Sequence, residues 1–253
     1  LDLYETVEKP LVPLLARAEA RGITIDKDYT LRVYCYFMGR AKLARQRAIS
    51  LGLPADINIA SHDQLGQWLK NEGAPSRART EVKGLPVTDA NNLAWIKGQW
   101  RSGLIDAILE YKEMMKLASF PKGWLASADS TGILHPSLNQ CGHAEEVFSD
   151  SKESPVTGRL SCSNPNLQQI PHHGRGKPAE YEEYGRILRR CIVARLGHTF
   201  VAGDVSQQEP RITAYVSKDK ALLQAFASGI SPYAIVGEAI YGHPISKVDT
   251  QEW

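Results

Sequence analysis

The chain has 253 residues, is 43% hydrophobic and 23% charged, and its Lys+Arg 30 against Asp+Glu 28 leave a net charge of +2. That balance suits one large or two modest globular domains and excludes a wholly disordered chain, and with no global field of one sign any nucleic-acid binding must come from local basic patches. The longest apolar runs are short (Ala221 to Ala227 is broken by Gln224), far below the ~20 residues of a membrane span.

In chain order, Leu11, Leu14, Leu15 and Ala18 recur at three- and four-residue steps and predict a helix over Val7 to Ala20. Gly22 closes it, and Ile23 to Asp26 follows as a short extended piece. Asp26 or Asp28 caps a second helix from about Tyr29 to Leu51. It carries Arg32, Arg40, Lys42, Arg45 and Arg47, either a solvated face or a surface for a phosphate backbone. Ser61 begins a third helix with Leu65, Trp68 and Leu69 as its stripe, ended by Asn71 and Gly73. Residues 74–88 lack helical periodicity and are predicted as a loop. Thr88 or Asp89 caps a fourth helix to about Trp100, and Leu104 to Leu117 is a fifth. Residues 1–120 are thus an all-α region.

Prolines, glycines, serines and asparagines then cluster over 121–200, with short extended pieces such as Ile133 to His135 and an exposed loop at 144–154. His198 to Val205 is the best strand by pattern, followed by helices over Gln208 to Val216, Lys220 to Ala227 and Pro232 to Tyr241.

Three clusters of polar residues are candidates for chemistry. Asp204 ends the predicted strand, with Glu209 and Arg211 following closely; a strand-end Asp is either a helix cap or a metal ligand. Ser154 to Pro171 holds Arg159, Asn166 and Gln168 in a stretch too poor in apolar residues to order itself by burial. Arg, Asn and Gln are side chains that donate to minor-groove acceptors, so the stretch is either a loose loop or a segment held by something else. A basic cluster, His172 to Lys177 with Arg186, Arg189, Arg190 and Arg195, is either solvated surface or a phosphate site.

Thr157-Gly-Arg-Leu-Ser-Cys-Ser-Asn-Pro-Asn-Leu-Gln-Gln-Ile-Pro171 resembles the TGRLSSxxPNLQNIP signature of family A DNA polymerases, and the stretch ending Asp204-Val-Ser-Gln-Gln-Glu-Pro-Arg211 resembles their motif A, DYSQIELR, in the SQQEPR form of phage-type members. Tyr4 to Asp26 looks like the opening of the polymerase region, and residues 57–120 resemble the thumb helices. The resemblance implies an α+β fold, with a mainly helical thumb, part of a palm with a small antiparallel sheet, and the first fingers helices. The implied divisions are 1–56 (N-terminal, palm-proximal helices), 57–120 (thumb), 121–217 (palm part with the minor-groove segment and motif A) and 218–253 (start of the fingers).

The implied activity is template-directed addition of deoxynucleotides to a primer 3′ end, with two Mg2+ ions as cofactor. By the resemblance Asp204 is catalytic and, with the Val205 carbonyl, holds metal; Mg2+ favours such hard oxygen donors. Ser206, Gln207, Gln208, Glu209 and Tyr233 would meet the nucleotide, Glu209 as a gate against the 2′-hydroxyl. Lys112, Lys116, Thr157, Arg159, Asn166, Gln168 and Arg211 would meet DNA. Departures are Val205 for an aromatic residue, Pro210 for Leu, and Ser231-Pro-Tyr233 where many members have Asp-Ile-His.

The partners implied are primer–template DNA, a dNTP, and the polypeptide that carries the family's fingers helix and His-Asp-Glu turn, motifs absent from these 253 residues. That polypeptide is either a second chain or a C-terminal continuation. No membrane partner is expected. Acidic residues at Asp2, Glu5, Glu8 and Glu19 argue against a secretory signal, and Cys35, Cys141, Cys162 and Cys191 make no CxxC pair and read as reduced thiols. The expectation is a cytoplasmic protein, of a bacterial nucleoid or a phage-infected cell. Two other readings stand beside the enzyme: a non-catalytic duplex-binding module, and a metal-dependent nuclease built on Asp204 and Glu209.

Overall fold

The computed structural model describes residues 2–140, 159–171 and 179–243. A π-helical stretch (Tyr4–Glu8) runs into α1 (Lys9–Arg21). Gly22 ends it in a left-handed conformation, φ +62°, with its N–H donating to the Ala18 carbonyl at 2.9 Å. A Cβ here would collide with the Leu134 carbonyl and the Ile133 side chain, so only glycine lets β1 (Ile23–Thr24) lie beside β2 (Ile133–Leu134).

The caps settle the alternatives that the sequence leaves open. The Asp26 carboxylate accepts from the Tyr29 N–H at 2.8 Å and starts α2 (Lys27–Ser50). Ser61 caps α3 (His62–Asn71), and Asp89, accepting from the Asn92 N–H at 2.6 Å, caps α4 (Ala90–Lys97). The long α5 (Ser102–Ser127) runs on past its predicted end at Leu117, with Pro121 inside it. The missing proline N–H is offset because Pro121 and Trp124 are both buried, Trp124 only 1% exposed.

α2 and α5 lie antiparallel and carry two cores. Ala48 of α2 and Leu104, Ile105 and Ile108 of α5 close one with Leu65, Trp68, Leu93 and Ile96. Val33, Phe37 and Ala41 of α2 and Met114, Leu117 and Trp124 of α5 close the other with Leu134, Tyr184 and Leu188. Burying a residue such as Phe37 contributes about 1.5–3 kcal/mol. The last two belong to α6 (Ala179–Arg189), a helix that the charged run around it hides from sequence reading. A second antiparallel pair joins β3 (Ser137–Asn139) to β4 (Ser161–Ser163), with Leu138 opposite Cys162. The architecture is α+β, as expected.

The chain divides into two compact units, Leu1–His198 and Thr199–Trp253. In the second, α7 (Gln208–Ser217) packs on α8 (Lys220–Ala227), and α8 on α9 (Pro232–Tyr241). Here one expectation fails. His198 to Val205 is not a strand, and Phe200, Val201 and Val205 are exposed rather than buried. A strand is defined by its ladder, and no described residue pairs with this stretch, so apolar alternation alone does not make one. The predicted loop at 144–154, Thr157 and the cluster His172–Lys177 lie outside the described residues.

Candidate active site

The polar segment at Arg159–Pro171 is ordered, and from both sides. β4 hydrogen-bonds to β3, Cys162 is buried at 5% exposure, and Leu167 and Ile170 pack against the core that holds Tyr184 and Leu188. The segment also folds on itself. The Asn166 carboxamide oxygen accepts from the Gln168 N–H at 3.0 Å, and the Gln168 carboxamide nitrogen donates to the Leu160 carbonyl at 3.2 Å. These bonds fix the direction of two predicted DNA-facing residues. Arg159 stands exposed at the start of the segment. Sequence reasoning missed Gly185, which lets α6 close on the far end: a Cβ there would sit 2.6 Å from the Pro171 carbonyl oxygen. Its signal, a glycine inside a helical run, gains meaning only once its neighbour is known.

The second cluster is the turn that enters α7. Asp204, Val205, Ser206, Gln208 and Glu209 are exposed, and Gln207 is half-buried. Gln207 is left-handed at φ +54°, and its side chain makes no cap for α7. Its carboxamide instead donates to the Ser231 hydroxyl at 2.9 Å. Arg211, predicted to meet DNA, is exposed and folds back on its own turn: its Nε donates to the Ser206 carbonyl at 2.9 Å and its guanidinium lies 4.6 Å over the Phe226 ring. Glu209 falls in the first turn of α7, where a carboxylate complements the helix dipole. Tyr233, the second residue of α9, is exposed.

Asp204 and the Val205 carbonyl are hard oxygen groups open to solvent, which fits Mg2+ with several waters retained. Among the described residues no three His, Cys, Asp or Glu side chains converge on one point. The residues present therefore fit part of a magnesium site.

The predicted lysines separate. Lys116 is exposed on α5. Lys112 is half-buried and donates to the Thr88 carbonyl at 2.6 Å, and burial pulls its ammonium below the usual lysine range. Thr88 also meets His62 Nδ1 at 2.6 Å, so Lys112 ties α5 to the joint between the loop and α4. Most of the basic face of α2 is likewise engaged within the protein. Arg40 and Arg47 reach the Glu110 carboxylate at 3.0 and 3.3 Å, and Arg45 donates to the Ala55 carbonyl at 2.6 Å. In the third cluster Arg186 pairs with Glu182, and Arg195 donates to the Arg21 carbonyl.

Residues 36–252 match the family model of DNA polymerase family A. The chain is 33% identical to the thermostable DNA polymerase I of Thermus thermophilus, over 98% of this chain and 28% of that protein. It is 34% identical to the DNA polymerase I of Chloroflexus aurantiacus, over 99% of this chain and 25% of the relative. It thus spans about a quarter of the length of these curated relatives. Among solved structures it is similar to the POL domain of Pol1 from M. smegmatis in complex with DNA primer-template and dNTP, with a TM-score of 0.79 and 28% identity, over 99% of this chain and 40% of that one. No described helix is long and apolar enough to cross a membrane. The chain carries both the signature segment and the motif A turn, and with the family model matched over residues 36–252 it belongs to DNA polymerase family A.

Proposed function

We propose that this chain is the thumb, part of the palm and the start of the fingers of a DNA-directed DNA polymerase, which extends a primer 3′ end on a template by two-metal nucleotidyl transfer. The observation that carries the reading is the pair of motifs, one on an ordered segment and one on an exposed turn, in a chain similar to a polymerase domain bound to primer-template and dNTP. On this reading residues 57–120 form the thumb. Arg159, Asn166 and Gln168 face the minor groove at the primer end, with Thr157 and Lys116 beside the duplex. Minor-groove acceptors are nearly alike for all correct pairs, so such residues sense pair geometry without reading sequence.

Asp204 and the Val205 carbonyl would hold magnesium, which when bound supplies charge stabilisation at the reacting phosphate. Ser206, Gln207 and Gln208 line the nucleotide's approach, Tyr233 offers a neutral hydroxyl to its phosphates, and Glu209 stands beside the sugar. Arg211 braces the turn through the Ser206 carbonyl. The remaining carboxylate and the triphosphate-binding helix come from further polypeptide, in the same chain or a separate one.

Asp204→Ala tests the reading. In the assembled polymerase it should abolish primer extension while primer–template affinity changes little, because the carboxylate is needed where charge develops and not for holding DNA. A variant that kept a tenth of the wild-type rate would remove Asp204 from the metal site. Tight duplex binding with no extension by the wild-type assembly would mark a duplex-binding module instead.

A further inference from the structure

The starts of α7 and α9 share an anomaly. Each helix begins at a residue whose side chain ordinarily caps or exposes itself locally, and neither does so. Ser231 is the N-cap of α9, a position where a serine hydroxyl normally accepts from the second or third helical N–H. Here the Ser231 side chain makes no cap hydrogen bond, and the Ala234 N–H donates to the Ser231 carbonyl at 2.9 Å. The hydroxyl instead accepts from the Gln207 carboxamide 24 residues upstream.

Gln207 needs that bond. It has a Cβ, yet its backbone is left-handed, a conformation disfavoured for any residue but glycine. Two internal anchors hold the turn against this preference. Arg211, braced on Phe226, grips the Ser206 carbonyl from one side, and Ser231 grips the Gln207 side chain from the other. Between them lies a small cavity of about 140 Å3. The direction in which α7 leaves this turn fixes where Glu209, its second residue, stands.

We infer that Ser231 is a positioning residue, which acts through Gln207 to set the Ser206–Glu209 turn and thereby the exclusion of ribonucleotides by Glu209. The role in exclusion rests on the polymerase reading above; the tie itself does not. A neutral hydrogen bond of this kind is worth about fivefold in an equilibrium.

The experiment compares Ser231→Ala and Ser231→Thr with wild type by two readouts. The first is amide hydrogen exchange in the full 253-residue chain, with no substrate present. The second is the ratio of dNTP to rNTP incorporation by the assembled polymerase. Ser231→Ala should speed exchange about fivefold at residues 206–209 and leave α2 and α5 unchanged, and it should lower the ratio by about fivefold. Ser231→Thr, which keeps the hydroxyl, should restore both. Unchanged exchange in Ser231→Ala would overturn the tie, and faster exchange with an unchanged ratio would overturn the positioning role. A wild-type assembly that extends no primer would overturn the polymerase reading alone, since exchange still decides the tie.

Discussion

Replacing Gly185 by alanine should fail to stabilise α6, although alanine is the better helix former. The intrinsic gain of alanine over glycine is about 1 kcal/mol. Against it, the new Cβ would stand 2.6 Å from the Pro171 carbonyl oxygen and 2.9 Å from a terminal nitrogen of Arg189. The arginine end can swing away. The carbonyl cannot, because Ile170 next to it packs into the core. Helix and segment must therefore separate by roughly half an ångström, and overpacking of this sort costs about 1–3 kcal/mol. The net effect is a loss of about 0–2 kcal/mol.

Two other helical glycines serve as internal controls. A Cβ at Gly39 in α2 or at Gly123 in α5 meets nothing within 4 Å. Gly39→Ala and Gly123→Ala should therefore each gain about 0.5–1 kcal/mol. Thermal unfolding reads the difference, at about 2–4 °C per kcal/mol for a chain of this size. The controls should rise by a few degrees while Gly185→Ala stays level or falls. The displacement also reaches Asn166 and Gln168, so primer extension should slow in Gly185→Ala and hold in Gly39→Ala. A Gly185→Ala protein as thermostable as Gly39→Ala would refute the close approach.

Glu209→Ala should open room beside the 2′ carbon, so the ratio of dNTP to rNTP incorporation should fall; an unchanged ratio makes Glu209 structural. Arg159→Ala should slow extension about ten- to a hundredfold for every template base, the range for a lost charged contact, and should narrow the gap between matched and mismatched primer ends in single-turnover assays. Loss at one template base alone would rule out a geometry sensor. Asp129 accepts from the Ile133 and Thr131 N–H groups and the Thr131 hydroxyl, which lower its carboxyl to about 2. A depressed carboxyl stabilises above its unfolded value, and that contribution disappears as pH falls through about 4 to about 2. The melting temperature of wild type should therefore drop more steeply across that acid window than that of Asp129→Asn, and parallel curves would count against the turn.

The helical half of the fold was legible because its signals are local. Asp26, Ser61 and Asp89 each start a helix within three residues of the N–H they accept, and Gly22 ends one by its own φ. The misreadings have the opposite character. Pro121 is a local stop signal that burial among distant residues overrides. The apolar run at His198–Val205 has the pattern of a strand, but a ladder requires a neighbour that no pattern within the run supplies. α6 was hidden because its exposed face, with Glu182, Glu183 and Arg186, dominates its composition, while the two residues that seat it, Tyr184 and Leu188, are few.

The site follows the same division. Motif residues point to Asp204, Glu209 and Arg159 as candidates for chemistry, since the family's residue types recur in order. Motif membership did not say which of them face outward. Arg211 is as much a part of its motif as Glu209, yet its guanidinium lies on Phe226 and its Nε on the Ser206 carbonyl. Lys112 and Lys116 share a helix and a charge, yet one is drawn onto Thr88 and the other reaches solvent. Ser231 before Pro232 reads as an ordinary helix cap, and only the geometry reveals that its hydroxyl makes no cap bond and holds Gln207 instead. In each case the use of a side chain is set by its partner in the fold and not by its residue type. The exposed turn at Ser206–Glu209 is thus only as well placed as the side chains that brace it.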